Sequence, residues 1–178
     1  MLNQIKDKIG NLMLKGKTAS GRKRGVYNFE NARTVGIIVN SDSQKTFEAV
    51  REFMKFIKSK NIEVFSIGYV ESQEVLDSYS RQIGMDYFTK KECTRMGKPK
   101  IQKASEFSEK DFDIMIDLSL SSVVPLKYIA TASRAKFKIG RFDEQSNFYD
   151  LMIDISKKPE LDYFIEQIKH YLSLLKRN

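Results

Sequence analysis

Five short runs of apolar sequence, most of them rich in β-branched residues, dictate what this chain can fold into. They are TVGIIV (34–39), IEVFSIGYV (62–70), FDIMIDLS (112–119), AKFKIG (135–140) and YDLMIDIS (149–156), with Tyr87-Phe88 as a brief sixth. Short runs of this kind, bounded by polar turns, read as strands covered on both faces. Between most of them lie stretches with the 3.6-residue period of a helix. Phe47, Val50, Phe53, Met54 and Ile57 recur at that spacing, and Asn40-Ser41-Asp42-Ser43 ahead of them supplies helix-capping side chains. Val75, Leu76, Tyr79 and Ile83 mark a second helix after Ser72, with Gly84 past its end. A third runs from about Val123 to Arg134, with Ser121 or Ser122 as its cap and Pro125 in its first turn. Leu161, Phe164, Ile165, Ile168, Tyr171, Leu172 and Leu175 define the last.

Strands alternating with helices imply a mostly parallel sheet with helices on both faces, hence a single Rossmann-like α/β domain over residues 35–178. One connection breaks the alternation. AKFKIG leads to YDLMIDIS through RFDEQSNF with no helix, which leaves either an antiparallel hairpin or a loop across the end of the sheet. Residues 89–110 are polar and without a period, and read as a long loop of the kind that often binds something.

Residues 1–34 form a separate arm. Eight cationic and two anionic residues fall there, an excess of +6, whereas the rest of the chain carries only +2 of the formal +8. Leu2, Ile5, Ile9, Leu12 and Met13 have helical spacing, and residues 16–31 read as a linker. A concentrated basic arm attracts polyanions by counterion release. The expected partner is RNA or a ribonucleoprotein, contacted by Lys15, Lys17, Arg22, Lys23 and Arg24 with Arg95 and Lys98 from the 89–110 segment. An anionic membrane surface is the alternative partner.

One Cys and one His exclude an internal disulfide framework and a Cys/His zinc site, and no metal or cofactor is expected. No apolar run reaches transmembrane length, and the first residues lack a signal-type apolar core, so a cytoplasmic location is expected. Lys90, Lys91, Arg95, Lys98 and Lys100 surround Cys93 in sequence, a setting that lowers a thiol's pKa. His170 falls off the apolar stripe of the last helix and reads as solvent-facing.

In open α/β sheets ligands sit beyond the carboxyl ends of the strands. The candidate anion- or nucleotide-binding residues there are Asn40, Ser41, Asp42, Ser119, Ser121, Ser122 and Arg141. Backbone amides of a Ser-rich turn entering a helix suit a phosphate, although neither G-x-G-x-x-G nor a Walker lysine motif is present. FDIMIDLS and YDLMIDIS each hold two Asp residues at the same spacing. Asp117 and Asp154 would form a working carboxylate pair only on adjacent strands. Without that geometry the repeat is one structural solution used twice, with Asp113 and Asp150 in turn-like positions. No residue is assigned a catalytic role, and the expected function is that of a non-catalytic binding protein.

The stretch FDIMIDLSLSSVVPLKYIATASRAKFKIGRF (112–142) resembles the amino-terminal domain of the heptosyltransferase-type glycosyltransferases. The shared form is aromatic-Asp-apolar-apolar-Ile-Asp, then a helix, then a strand ending Ile-Gly, here Phe112 to Asp117 and Ile139-Gly140-Arg141-Phe142. The resemblance implies a Rossmann-like fold and, as the alternative function, binding of a nucleotide or nucleotide-sugar. That family holds its nucleotide-sugar mainly through a second domain, so the fold is what carries over. Over most of its length the chain is also similar to uncharacterised single-domain α/β proteins of Bacteroidetes with a basic amino-terminal arm.

Overall fold

The computed structural model describes residues 21–41, 43–72, 85–144, 146 and 148–175. The expected helix over 1–14 and the one expected after Ser72 fall outside these, as do Lys15, Lys17 and Asp42. Six strands, β1 (Thr34–Asn40), β2 (Glu63–Val70), β3 (Met85–Thr89), β4 (Ile114–Asp117), β5 (Phe137–Arg141) and β6 (Leu151–Ile153), form one sheet in the order β3-β2-β1-β4-β5-β6. Every neighbouring pair is parallel. The order reverses between β1 and β4, the position at which Rossmann-like sheets open a crevice.

Among the described residues four helices cover the sheet. They are α1 (Gln44–Ser59), α2 (Gln102–Glu109), α3 (Val124–Ala132) and α4 (Leu161–Leu174). On one face Phe53, Met54 and Ile57 of α1 and Phe164, Ile165 and Ile168 of α4 pack on Val35, Ile37, Ile114, Ile116 and Ile139. On the other, Ala104 and Phe107 of α2 and Leu126, Ile129 and Ala130 of α3 pack on Ile38, Ile67 and Met115. The two faces explain the unbroken apolarity of the strands. Each central residue meets a helix whichever way it points.

Local signals set the ends of α1. The Ser43 hydroxyl accepts the Thr46 amide hydrogen at 3.2 Å, so the last residue of the polar run is the cap. Asn61 just past the helix adopts the left-handed conformation (φ 60), which Asn tolerates better than most residues. α3 departs from expectation. Val123 occupies its cap without a side-chain bond, and Ser121 and Ser122 remain exposed two residues and one residue earlier.

The segment 89–110 is more ordered than its composition suggests. A 3-10 turn spans Lys90–Glu92, and a narrow hairpin follows in which Cys93 bridges Pro99. Thr94 donates its amide to Lys98 O at 2.8 Å and receives the Lys98 amide on its hydroxyl at 3.1 Å. Gly97 turns the hairpin at φ +79, and a Cβ there would stand 2.8 Å from Val124 Cγ1, so the hairpin lies directly against the start of α3. The rest of the segment is α2.

The connection from β5 to β6 is a parallel crossover made by a loop, which decides between the two alternatives. Phe148 and Tyr149 join the core on the α2/α3 face and lie where a helix would otherwise pack. Gly140 makes this possible, because a Cβ at that position would fall 2.6 Å from the Tyr149 ring.

Candidate functional site at the carboxyl edge

Beyond the carboxyl ends of β4 and β5 is a narrow cleft with about 20 Å3 of free interior, room for a water-sized group. Asp117, Ser119, Ser121, Ser122, Arg141 and Tyr149 line it, together with Lys127 from α3 and Asp143 and Ser146 from the β5–β6 loop. Asp117 ends β4 and forms its floor. One carboxylate oxygen accepts the Ser119 amide at 2.9 Å and the other accepts the Tyr149 hydroxyl at 2.5 Å. Burial pushes the Asp117 carboxyl above its ordinary range, opposed by Tyr149, Ser119 and, more weakly, Lys127. Burial also raises the Tyr149 phenol well above its usual value, with the Asp117 carboxylate adding to it, so Tyr149 stays a donor.

One wall is polar and cross-linked. Lys127 Nζ stands 3.3 Å from Asp143 Oδ2, and the Ser146 hydroxyl donates to the same oxygen at 3.0 Å. Among the described residues, Nε of Arg141 is buried in the cleft without a hydrogen bond. The Ser119 hydroxyl, in a residue only 7% exposed, makes no hydrogen bond of ordinary length and lies close enough to the Asp117 carboxylate to help hold its charge. An unpaired buried polar group costs about 1–3 kcal/mol, so Arg141 Nε marks a position where a ligand atom would be favoured. The first turn of α3 opens onto the same space through Val123 and Leu126. The positive end of its dipole favours an anion, although Pro125 removes one of the amide donors of that turn.

The structure thus brings together four of the residues expected from sequence, Ser119, Ser121, Ser122 and Arg141. Asn40 and Ser41 stand apart at the end of β1, where the Ser41 amide bonds Tyr69 O at 2.9 Å. Sequence reasoning missed Lys127, Asp143, Ser146 and Tyr149. Lys127 had a readable signal, a lone cation within the otherwise apolar and small-polar run VVPLKYIATA; it is 8% exposed. Tyr149 had none, because only the loop's path over Gly140 carries it to Asp117.

Asp117 and Asp154 are not neighbours. β5 lies between their strands and Asp154 stands two residues further along in register, which places their backbones about 12 Å apart at the usual strand spacing and rise. Asp154 is exposed and accepts the Ser156 amide at 2.8 Å, a bond that lowers its carboxyl. Among the described residues no cluster of three or more His, Cys, Asp or Glu is arranged to hold a metal ion, and no helix is long and apolar enough to cross a membrane. Cys93 is buried, with Sγ 3.6 Å from Thr89 O. Burial, helped by Glu92, pushes its thiol up to about 11, the reverse of what its cationic sequence neighbours suggest.

The basic residues divide between opposite ends of the sheet. Arg22 is engaged rather than free: its guanidinium grips both carboxylate oxygens of Asp150 at 2.8 and 2.6 Å and donates to Ala135 O and Lys136 O. Its side chain is 6% exposed. These partners all precede β5 or β6, so residues 21–25 lie at the amino edge, with Lys23 and Arg24 exposed. Arg95 and Lys98 are exposed on the hairpin after β3, at the carboxyl edge. A strand of five residues separates the two edges by about 17 Å. Residues 21–25 and the hairpin therefore do not form one local patch.

A profile for a family of unknown function, described as Family of unknown function (DUF6913), matches residues 5–175. No curated protein matches the chain.

Proposed function

We propose that this chain, which belongs to that family of unknown function, is a binding protein whose carboxyl-edge cleft holds a small phosphorylated ligand. The observation that carries the reading is the buried Arg141 Nε without a hydrogen bond, in a cleft it shares with the buried Ser119 hydroxyl and the first turn of α3. A phosphoryl oxygen reaching inward would accept from the Ser119 hydroxyl and from the Arg141 guanidinium, at the positive end of the α3 dipole. Binding rather than catalysis is favoured because both oxygens of Asp117 are already engaged. Thermal denaturation with millimolar phosphate, sugar phosphates and nucleotides tests this. At least one should raise Tm, and Ser119→Val and Arg141→Met should each lower the gain. A flat response across the panel would sink the reading.

A second reading rests on charge. The excess of +6 in residues 1–34 suits a polyanion, RNA or a ribonucleoprotein first, with anionic lipid as the competing surface. Because Arg22 ties residues 21–25 to the residues that precede β5 and β6, the informative truncation removes residues 1–20 and keeps Arg22. Retention on immobilised RNA should fall in the truncated protein and fall again with salt. Equal retention by both proteins argues against it, and flotation with anionic but not neutral liposomes assigns the arm to membranes instead.

A further inference from the structure

We infer that the groove between α2 and α3 is a second binding site, for a dipeptide with both termini free. Its interior of about 320 Å3 is in the range of pockets that bury small ligands, and it shares no lining residue with the carboxyl-edge cleft. Each helix leads from the end of one strand to the start of the next in a parallel sheet, so both run from the carboxyl edge to the amino edge. Contacts at the two ends hold them side by side. Gly97 of the hairpin before α2 lies against Val124 at the start of α3. The Arg134 amide, just past α3, donates to Ser108 O near the end of α2 at 2.9 Å. The two dipoles therefore point the same way, positive toward the hairpin and negative toward the amino edge.

The charged lining repeats that polarity. Lys98 of the hairpin lines one end, and Glu109, the last residue of α2, lines the other. Among the described residues neither has an ion-pair partner, whereas Lys103 of the same helix pairs with Asp86 at 2.6 Å. A ligand matching the groove carries an anion at the hairpin end and a cation at the Glu109 end. The lined part of α2, from Ala104 to Glu109, rises about 7.5 Å. One extended residue spans about 3.5 Å and two span about 7 Å, so a dipeptide reaches both ends and a single amino acid does not. The middle suits a peptide too. Thr131 lines the groove, is 1% exposed, and holds Oγ1 buried without a hydrogen bond, so a peptide group would supply the partner it lacks. Tyr128 and Ile129 of the same wall offer apolar surface to the ligand's side chains.

Isothermal titration of the full chain with alanine, alanylleucine, N-acetyl-alanylleucine and alanylleucine amide tests the site. Alanylleucine should bind more tightly than alanine. Acetylation and amidation should each weaken it about two- to fivefold, the range of one exposed ion pair. In Lys98→Gln amidation should cost nothing further while acetylation still does, and in Glu109→Gln the reverse should hold. Both side chains are exposed, so these substitutions leave the core intact, which the far-UV spectrum and Tm verify. Ser105→Trp, at an exposed lining position, fills the groove and should remove binding. No binding of alanylleucine at millimolar concentration overturns the inference. Binding that is indifferent to both caps, or that survives Ser105→Trp, overturns it as well. If Lys98→Gln cancels the effect of acetylation instead of amidation, the polarity on which the site rests is wrong.

Discussion

Lys138 offers the sharpest test of how this domain tolerates charge. It lies on β5, is 1% exposed, and donates from Nζ to Ala130 O at 2.7 Å and Thr131 O at 3.4 Å. Burial, with Arg22 nearby, pushes its ammonium from 10.5 down to about 7; Asp150 opposes this and Arg24 adds to it. A lysine whose folded pKa is depressed binds fewer protons folded than unfolded. Its penalty is therefore fully present below pH 7 and fades as pH rises toward 10.5. From pH 7 to 9.5 the relief amounts to about 3 kcal/mol by linkage, at about 1.4 kcal/mol per unit. The carbonyls ending α3 hold the charged form against burial, since cations are favoured at that end of a helix, so a gain of about 1–3 kcal/mol is expected. Lys138→Met keeps the length of the side chain and removes the charge, a type of replacement that is often neutral or stabilising at buried sites. Urea denaturation of both proteins at pH 7 and 9.5 isolates the effect, because every other titrating group is shared. The advantage of Lys138→Met over wild type should shrink by about 1–3 kcal/mol on going to pH 9.5. An advantage that is the same at both values would show that Lys138 titrates as it does in water, and would refute the reasoning.

Three further outcomes follow from the packing. Gly140→Ala places a methyl 2.6 Å from the Tyr149 ring, so it should lower stability by about 1–3 kcal/mol in a denaturant titration and loosen the Tyr149–Asp117 bond. Cys93, with its thiol raised to about 11, should react with a thiol reagent at pH 8 far more slowly in the native protein than in urea; equal rates would mean that it is exposed. Asp150→Asn removes the carboxylate partner of Arg22 in a pair whose side chains are 6% and 15% exposed, and should cost about 2–4 kcal/mol. Trypsin should then cleave after Arg22, Lys23 or Arg24 faster than in wild type, whereas unchanged cleavage would mean that the residues around Arg22 are held by other contacts.

The strands were legible because burial on both faces removes the polar alternation that would otherwise obscure them. α1 and α4 were legible because each presents a full apolar stripe to the sheet. α2 escaped because only Ala104 and Phe107 among its eight residues are apolar and buried, too few to set a period. The cleft was half legible. Serines after a strand and an arginine at the end of the next announce themselves locally, but Tyr149 and Asp143 arrive on a loop whose path depends on the missing side chain of Gly140. Charge was the least legible quantity. Five cations flank Cys93 in sequence, yet burial dominates its thiol, and one of the five arm residues named for polyanion contact, Arg22, instead clamps the arm to Asp150. Sequence proximity says which charges are near along the chain, and only packing says which are desolvated.

The two octapeptides show how far one local pattern can carry and where it stops. In FDIMIDLS the first Asp, Asp113, accepts the Arg33 and Thr34 amides and pairs with Lys136 at 2.7 Å. In YDLMIDIS the first Asp, Asp150, accepts the Lys138 amide and pairs with Arg22. Each ties the start of its strand to a neighbouring strand and to a cation. The second Asp of each accepts the amide two residues on, Ser119 in one case and Ser156 in the other. The repeat is therefore the same pair of backbone devices built twice. The two part company through what packs above them. Tyr149 closes over Asp117 and makes it the floor of a cleft beside α3, while Asp154 follows an edge strand and stays in water. A carboxylate pair for chemistry would have required adjacent strands, and β5 stands between them. What sets FDIMIDLS apart is the α3 turn that follows it and the loop that covers it, neither of which its eight residues encode.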